Sequence, residues 1–195
     1  MPTTSITLSD EELIITEAGT YVLTGSSTAS VIVDAADLNV QLVLDGVNII
    51  SSTGAAIAVV DAETVVIQLA SDTTNTLSDA STRVDEAIDG ALFSSDDLFI
   101  EGDGELIIAA NFADGIVSND DLTILGGTIT VTSVDDGIRG RDSVVIVAGT
   151  VDIAAAGDAI KSTNDSDAGK GFILVQGGSI TLNTESDGMQ AEQAL

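Results

Sequence analysis

Short apolar runs separated by glycine and acidic residues recur along most of the chain, and the clearest copies lie between residues 114 and 192. Each copy opens with an acidic turn, Asp-Gly-Ile or a close variant, at Asp114, Asp136, Asp158 and Asp187. A small residue, a polar corner, a short apolar strand, a glycine turn and a further strand follow. A repeat of about 22 residues made of strands and turns, without helix signals, predicts an all-β fold, a parallel β-helix.

Six such repeats align into columns. Residues two apart on a strand face the same side, so two of the columns share one face of their strands. The column predicted to point inward as an aliphatic ladder is Ile57, Leu92, Ile116, Ile138, Ile160 and Met189. A column of small residues follows at Val59, Ser94, Ser118, Gly140, Ser162 and Ala191. A polar corner column comes next at Asp61, Asp96, Asp120, Asp142, Asn164 and Gln193.

The alignment predicts one domain over residues 1–195. Residues 1–25 are expected to form an opening coil and lid. The polar stretches 71–89 and 164–170 are expected to leave the repeats as loop insertions. The repeat that begins at Met189 is incomplete at Leu195, so an uncapped strand edge is expected there.

Charge narrows the choice of partners. Thirty-two acidic residues against five basic ones give a net charge of −27, while 44% of the residues are apolar and only 3% are aromatic. The apolar fraction places the charge on a folded surface rather than on a disordered tail. Nucleic acid and membrane insertion are disfavoured as interactions, because the first needs a basic patch and the second a long apolar segment.

The acidic turns suggest metal chemistry. Stacked repeats lie ~4.8 Å apart, and two carboxylates at that distance repel by roughly 0.9 kcal/mol in water. A file formed by Asp114, Asp136, Asp158 and Asp187, joined by Asp135, is therefore tolerable only with positive charge among its members. The sequence has no His and no Cys, and hard oxygen ligands of this kind favour Ca²⁺.

Other interpretations remain open for the polar residues. The corner residues Asp120, Asp142 and Asn164 are metal candidates, but an Asx role, in which the side chain bonds the turn backbone, is the preferred interpretation for them and stays open for the acidic file. Asn164, Asp165 and Asp167 in the second insertion are candidates for a separate metal site.

The few basic residues are weighed one by one. Arg139 and Lys161 share a register and should project beside the acidic file, where they would either bind a sugar carboxylate or neutralise the aspartates. Arg83, Arg141 and Lys170 have no such register and are expected to be solvated charges.

Five segments carry a family resemblance: Thr20-Tyr-Val-Leu-Thr-Gly25, Leu42-Val-Leu-Asp-Gly-Val-Asn48, Asn111-Phe-Ala-Asp-Gly-Ile116, Ser133-Val-Asp-Asp-Gly-Ile-Arg-Gly-Arg-Asp142 and Asp158-Ala-Ile-Lys-Ser-Thr-Asn-Asp165. Together they resemble the bacterial extracellular carbohydrate-binding β-helix domain. That family is known for binding polygalacturonate and cellulose, and its fold is similar to that of the family-nine pectate lyases.

The resemblance implies a right-handed β-helix, an extracellular or cell-surface location, and calcium held by Asp114, Asp135, Asp136, Asp158 and Asp187. It also implies a pectin-like acidic polysaccharide as partner, bound with the help of Arg139 and Lys161. Two alternatives stay open. One is a polysaccharide lyase with Lys161 or Arg139 as the base, and the other is a structural subunit that stacks head-to-tail into a fibre or belongs to a larger extracellular protein.

Overall fold

The computed structural model describes residues 2–194, and within that range the chain forms β-strands and no α-helix. Accordingly, no helix in this range could cross a membrane. The strands lie in two sheets, and every strand pairing in them is parallel. The all-β prediction is confirmed. Met1 and Leu195, the outermost residues of the predicted domain, lie outside the described residues.

One sheet has eight strands, and strands that are adjacent in this sheet come from successive repeats of the sequence. In this sheet Ile138 pairs with Ile116 on one side and with Ile160 on the other. The strands are β2 (Leu13–Ile15), β4 (Val31–Asp34), β6 (Ile57–Asp61), β9 (Gly90–Ser94), β12 (Asp114–Ser118), β15 (Ile138–Gly140), β18 (Ile160–Ser162) and β21 (Met189–Ala191).

The other sheet has thirteen strands and curls around the core. The long strand Asn39–Ile50 joins its two halves. The first half of this strand pairs with Thr64–Leu69, and its last residues pair with Thr74–Ser78. The strands are β1 (Thr3–Thr7), β3 (Gly19–Ser27), β5 (Asn39–Ile50), β7 (Thr64–Leu69), β8 (Thr74–Ser78), β10 (Asp97–Gly102), β11 (Glu105–Ala109), β13 (Asp121–Ile124), β14 (Thr128–Ser133), β16 (Ser143–Ile146), β17 (Thr150–Ala155), β19 (Phe172–Val175) and β20 (Ser179–Thr184).

The predicted inward columns are confirmed by the register. The aliphatic column pairs in sequence from Ile57 to Met189, and its members are buried except for Met189, which is half-buried. In the small column the Ser118 hydroxyl donates to the Asp96 carbonyl oxygen at 2.8 Å. At Gly140 a Cβ would lie 2.1 Å from the Ser143 carbonyl oxygen, so only glycine fits at that position.

The stack begins earlier than the six aligned repeats. Val31 pairs with Ile57, and Leu13 pairs with Val31, which adds two strands to the N-terminal side of the eight-stranded sheet. These two early repeats lack the Asp-Gly turn, since Ala29-Ser30 precedes Val31 and Glu11-Glu12 precedes Leu13. Without that signature, the periodicity of their apolar residues alone was too weak to align them.

The first predicted insertion is shorter than residues 71–89. Residues 74–78 form strand β8, which pairs with β5 and β11, so only the segment 79–89 leaves the sheets. The prediction of a solvated Arg83 is also wrong. Its side chain forms an ion pair with Asp79, and both side chains are almost completely buried.

Apolar residues at both ends of the stack are only partly buried. At the N-terminal end, β1 pairs with β3 and the Leu8 side chain is buried, but Ile6 and Leu13 are partly exposed. At the C-terminal end, the inward-facing residues Ile180, Leu182 and Met189 are partly buried as well. The last described repeat is thus incompletely covered, which agrees with the expectation for it.

Removing one member of the aliphatic column tests the packing of the core. Ile138→Ala should lower the free energy of unfolding by ~2–5 kcal/mol, because Ile138 is fully buried between two other isoleucines. Ile14→Ala is the matched control, since Ile14 is 55% exposed and its loss should cost less than about 1 kcal/mol. Chemical denaturation measures both, and equal losses would contradict this packing.

Candidate metal centre on the outer face of the eight-stranded sheet

The acidic turns form a file in which each carboxylate binds the next repeat. The Asp114 Oδ1 atom accepts a hydrogen bond from the Asp136 backbone N–H at 3.0 Å. Asp136 Oδ1 does the same for the Asp158 N–H at 2.8 Å, and Asp158 Oδ1 for the Asp187 N–H at 3.0 Å. The aspartates are therefore part of the stacking contact itself, as well as a source of charge.

The second oxygen of each carboxylate meets a basic side chain. Asp114 Oδ2 accepts a hydrogen bond from Arg139 Nε at 2.8 Å. The Lys161 ammonium lies 3.1 Å from Asp136 Oδ2 and 3.0 Å from Asp158 Oδ2. Arg139 and Lys161 pair in register on β15 and β18, as predicted. Of their two predicted roles, neutralising the aspartates accounts for these contacts.

Burial and charge oppose each other in this file. Burial raises the pKa of Asp114 to about 6, although the neighbouring Arg139 charge and hydrogen bond act in the other direction. For Lys161, burial favours the neutral amine, but the bonds to Asp158 and Asp136 outweigh it and raise the pKa above its ordinary value. Lys161 is therefore an ammonium at neutral pH.

Three carboxylates converge at the start of the file. Oxygen atoms of Asp114, Asp135 and Asp136 lie within 4.8 Å of one another, and Asp135 is exposed. Gly157 faces them closely, since a Cβ at that position would lie 2.5 Å from Asp135 Oδ1 and 2.6 Å from Asp136 Oδ1. The possible ligand atoms are all carboxylate oxygens, and each carboxylate can accept more than two contacts, so this set could hold a metal ion that prefers oxygen ligands.

A second acidic cluster lies beside the polar corner column. Carboxylate oxygens of Asp97, Asp120 and Asp121 come within 4.8 Å of one another. A hydrogen bond with Asp142, together with burial, raises the pKa of Asp120 to about 6. Lys170 forms an ion pair with Asp142 and lies 3.8 Å from Asp120 Oδ1. Its side chain is exposed, so the prediction of a solvated Lys170 is confirmed, with acidic partners beside it.

Hydrogen bonds account for the rest of the corner. Asn164 Nδ2 donates to Asp142 Oδ1 at 2.6 Å, and Asn164 Oδ1 accepts from the Asp167 backbone N–H at 2.9 Å. In an earlier repeat, Asp96 Oδ2 accepts from the Ala62 backbone N–H of the preceding repeat at 3.0 Å. The contact of Asn164 with its own loop is the Asx role that was one of the two interpretations of the corner column, whereas Asp142 is bound by the side chains of Asn164 and Lys170.

The predicted site residues thus fall into two groups. Asp114, Asp135 and Asp136 come together, with Arg139 and Lys161 beside them. Asp158 and Asp187 continue the file beyond this cluster. Asp120, Asp142 and Asn164 belong to the corner, and Asp165 is an exposed residue of the second loop.

Three acidic residues were missed by the sequence analysis. Asp97 and Asp121 precede apolar strands one residue after the corner column, a position that the column analysis did not include. Asp89 lies in the first loop and forms an ion pair with Arg139. It is 50 residues away from Arg139 in sequence and outside the repeat, so no pattern pointed to it.

Known proteins resemble this chain over most of its length. A family model described as "Carbohydrate-binding domain-containing protein" matches residues 9–195. A protein of that description from Acetivibrio thermocellus is 36% identical over 197 aligned positions, which cover 97% of this chain and 69% of the relative. The solved structure of a polysaccharide lyase-like protein from C. thermocellum, a gadolinium derivative, is 30% identical. It superposes with a TM-score of 0.90 over 95% of this chain and 93% of that chain.

The raised pKa of Asp114 predicts how metal-free protein responds to pH. Between its ordinary pKa of 3.8 and about 6, the folded state holds a proton that the unfolded state has released. Protonated Asp114 therefore stabilises the folded state relative to the unfolded state in acid, and this contribution to the free energy of unfolding is lost as the pH rises through about 6. Asp114→Asn should flatten this part of the curve of unfolding free energy against pH, while Asp61→Asn, at an exposed corner, should not. Equal slopes in Asp114→Asn and the unsubstituted protein, measured by denaturation in chelator, would contradict the assignment.

Proposed function

The chain belongs to the carbohydrate-binding domain family, and we propose that it is a non-catalytic module that binds acidic, pectin-like polysaccharide in a calcium-dependent way. The observation that carries this proposal is the convergence of Asp114, Asp135 and Asp136 next to Arg139 and Lys161 on one outer sheet face. Negative and positive groups there alternate over a few ångströms, in a protein whose overall charge is −27.

Asp114, Asp135 and Asp136 are the residues that would hold the ion. Calcium bound there would supply positive charge and open coordination positions to a ligand oxygen.

Electrostatics explains why the ligand needs such a site. A surface of net charge −27 repels an acidic polysaccharide at long range. Binding then requires a part of the surface where the local charge is positive. Arg139 carries five N–H donors and Lys161 three, and their bonds to Asp114, Asp136 and Asp158 leave donors free for a sugar carboxylate.

The proposed fold and location follow the same line. We infer that the stacked repeats form a right-handed parallel β-helix, which is consistent with the parallel register of both sheets and with the curled thirteen-stranded sheet. We also infer an extracellular or cell-surface location, since a protein that binds acidic, pectin-like polysaccharide would encounter its ligand outside the cell.

The contacts of Lys161 favour binding over lyase chemistry. A base that abstracts a proton near pH 7 must be neutral, and Lys161 is held as an ammonium by Asp136 and Asp158. The pKa of Arg139 is likewise raised: burial opposes this, but the charges of Asp114 and Asp89 prevail. Both groups are suited to hold anions rather than to accept protons.

The fibre alternative receives less support. Head-to-tail stacking needs two bare ends, but strand β1 and the buried Leu8 side chain lie over part of the N-terminal end of the core.

Calcium should stabilise the folded protein. An ion that binds only the native state contributes ~2.7 kcal/mol at 100 times its dissociation constant, so thermal melts with calcium and with chelator should differ by several degrees. Asp135→Asn should remove most of this difference, because Asp135 belongs to the cluster and its backbone contacts stay intact. Asp61→Asn is the control and should keep the difference. Superimposable melts of the unsubstituted protein would rule out the calcium site.

Binding of polygalacturonate should need calcium and the two bases. Titration calorimetry should detect binding in calcium and none in chelator. Arg139→Gln and Lys161→Gln should each weaken it by about tenfold, the loss of one charge-assisted contact. Arg141→Gln is the matched control, because Arg141 is exposed and outside the outward-facing register of Arg139 and Lys161.

A parallel assay separates binding from cleavage. Incubation with polygalacturonate should produce no unsaturated, ultraviolet-absorbing product. Steady accumulation of such a product would assign the protein to the lyases. Undiminished binding in chelator would instead refute the role of calcium.

A further inference from the structure

The outward-facing positions of the eight-stranded sheet differ in how far they are covered. Ile14, Ile32, Ala58, Phe93, Val117, Arg139, Lys161 and Gln190 pair in register as one column pointing away from the core. Ile14 is 55% exposed and Ile32 is half-buried, but Ala58 and Phe93 are only 4% exposed and Val117 is 0% exposed. Arg139, Lys161 and Gln190, in the repeats that follow, are partly exposed. Something therefore lies over the middle of the column, from Ala58 to Val117.

Residues of the loop 79–89 lie at both ends of this covered stretch. Ala58 lines a pocket of about 250 Å³ together with the loop residues Arg83, Val84 and Ile88. At the other end of the loop, Asp89 forms an ion pair with Arg139. Gly90, directly after the loop, lies so close to Val117 that a Cβ there would be 2.9 Å from the valine Cγ2. The loop thus spans the column from Ala58 to the edge of Arg139.

Internal contacts hold this loop in place. The Arg83 guanidinium forms a buried ion pair with Asp79 and donates to the carbonyl oxygens of Ile88 at 2.5 Å and Gly90 at 3.1 Å. Asp79 in turn accepts from the Asn111 backbone N–H at 2.6 Å, and the guanidinium lies 5.0 Å from the centre of the Phe112 ring. These contacts close the base of the loop and tie it to the next repeat, so it is a fixed part of the surface.

From this arrangement we propose that the loop 79–89 is an end wall of the glycan-binding face, and that Asp89 is the positioning residue that fixes this wall to Arg139. The inference rests on the proposed function. A bound acidic chain that follows the column then contacts the repeats of Arg139, Lys161 and Gln190 and stops at the loop. These three repeats span ~10 Å, twice the spacing between stacked strands. The part of the site that residues 2–194 supply therefore contacts a short stretch of an acidic glycan.

Oligogalacturonates of increasing length test the wall. In calcium, the affinity measured by calorimetry should rise over the shortest oligomers and then stay constant, within about twofold, from the tetramer to the octamer. In amide NMR spectra the octamer should shift Arg139, Lys161 and Gln190 and leave Ile32 and Ala58 unchanged. An affinity that keeps rising to the octamer, with shifts at Ile32 and Ala58, would overturn the end wall and leave calcium-dependent binding standing. No binding of any oligomer would refute the proposed function, and the wall with it.

Asp89→Asn tests the positioning role without removing the loop. Loss of the charge should speed hydrogen exchange of the amides in residues 80–89 and should weaken tetramer binding by about tenfold, since Arg139 loses one of its two anchors. Asp85→Asn is the matched control in the same loop. Asp85 Oδ1 accepts from the Ala87 backbone N–H, and asparagine keeps that acceptor. Equal exchange and equal affinity in Asp89→Asn and Asp85→Asn would refute the role of Asp89.

Discussion

Stacking of parallel strands ~4.8 Å apart forces equivalent residues of successive repeats into contact, and an aspartate in the repeat therefore meets another aspartate. The structure resolves this by giving the two oxygens of each carboxylate different partners. One accepts the backbone N–H of the next repeat, and the other meets Arg139 or Lys161. The hydrogen bonds to backbone N–H groups hold successive repeats together, and the contacts with Arg139 and Lys161 offset most of the repulsion between the carboxylates. The chemistry of the outer face follows from that division.

The same division determines what the site can bind. Because the two bases neutralise the file only in part, Asp114, Asp135 and Asp136 still present converging oxygens that suit a hard cation. The bases in turn remain charged, since their carboxylate partners stabilise the protonated forms. A surface that holds both an ion and fixed cations can attract an anionic polymer that the protein as a whole repels. The loop 79–89 then limits how much of that face is open.

The sequence period predicts the contacts between equivalent residues of the repeats, but it does not predict the contacts made by residues outside the repeats. The columns of Ile138 and Ser118 and the shared register of Arg139 and Lys161 followed from spacing, because stacking converts sequence period directly into contact. Asp89 and Arg83 did not follow, since their partners are set by how one irregular loop folds back over a sheet. Strand β8 was missed because its polar outward residues resemble those of a loop.

The central claim is that Asp114, Asp135 and Asp136 hold a hard cation through which an acidic glycan binds. The most direct measurement is anomalous diffraction from crystals soaked in a lanthanide at low concentration, with a calcium-competed crystal as the control. The account predicts an anomalous peak bounded by carboxylate oxygens of these three residues that disappears when calcium is added in excess. Peaks confined to other acidic surfaces, such as the corner at Asp97 and Asp121, would contradict it.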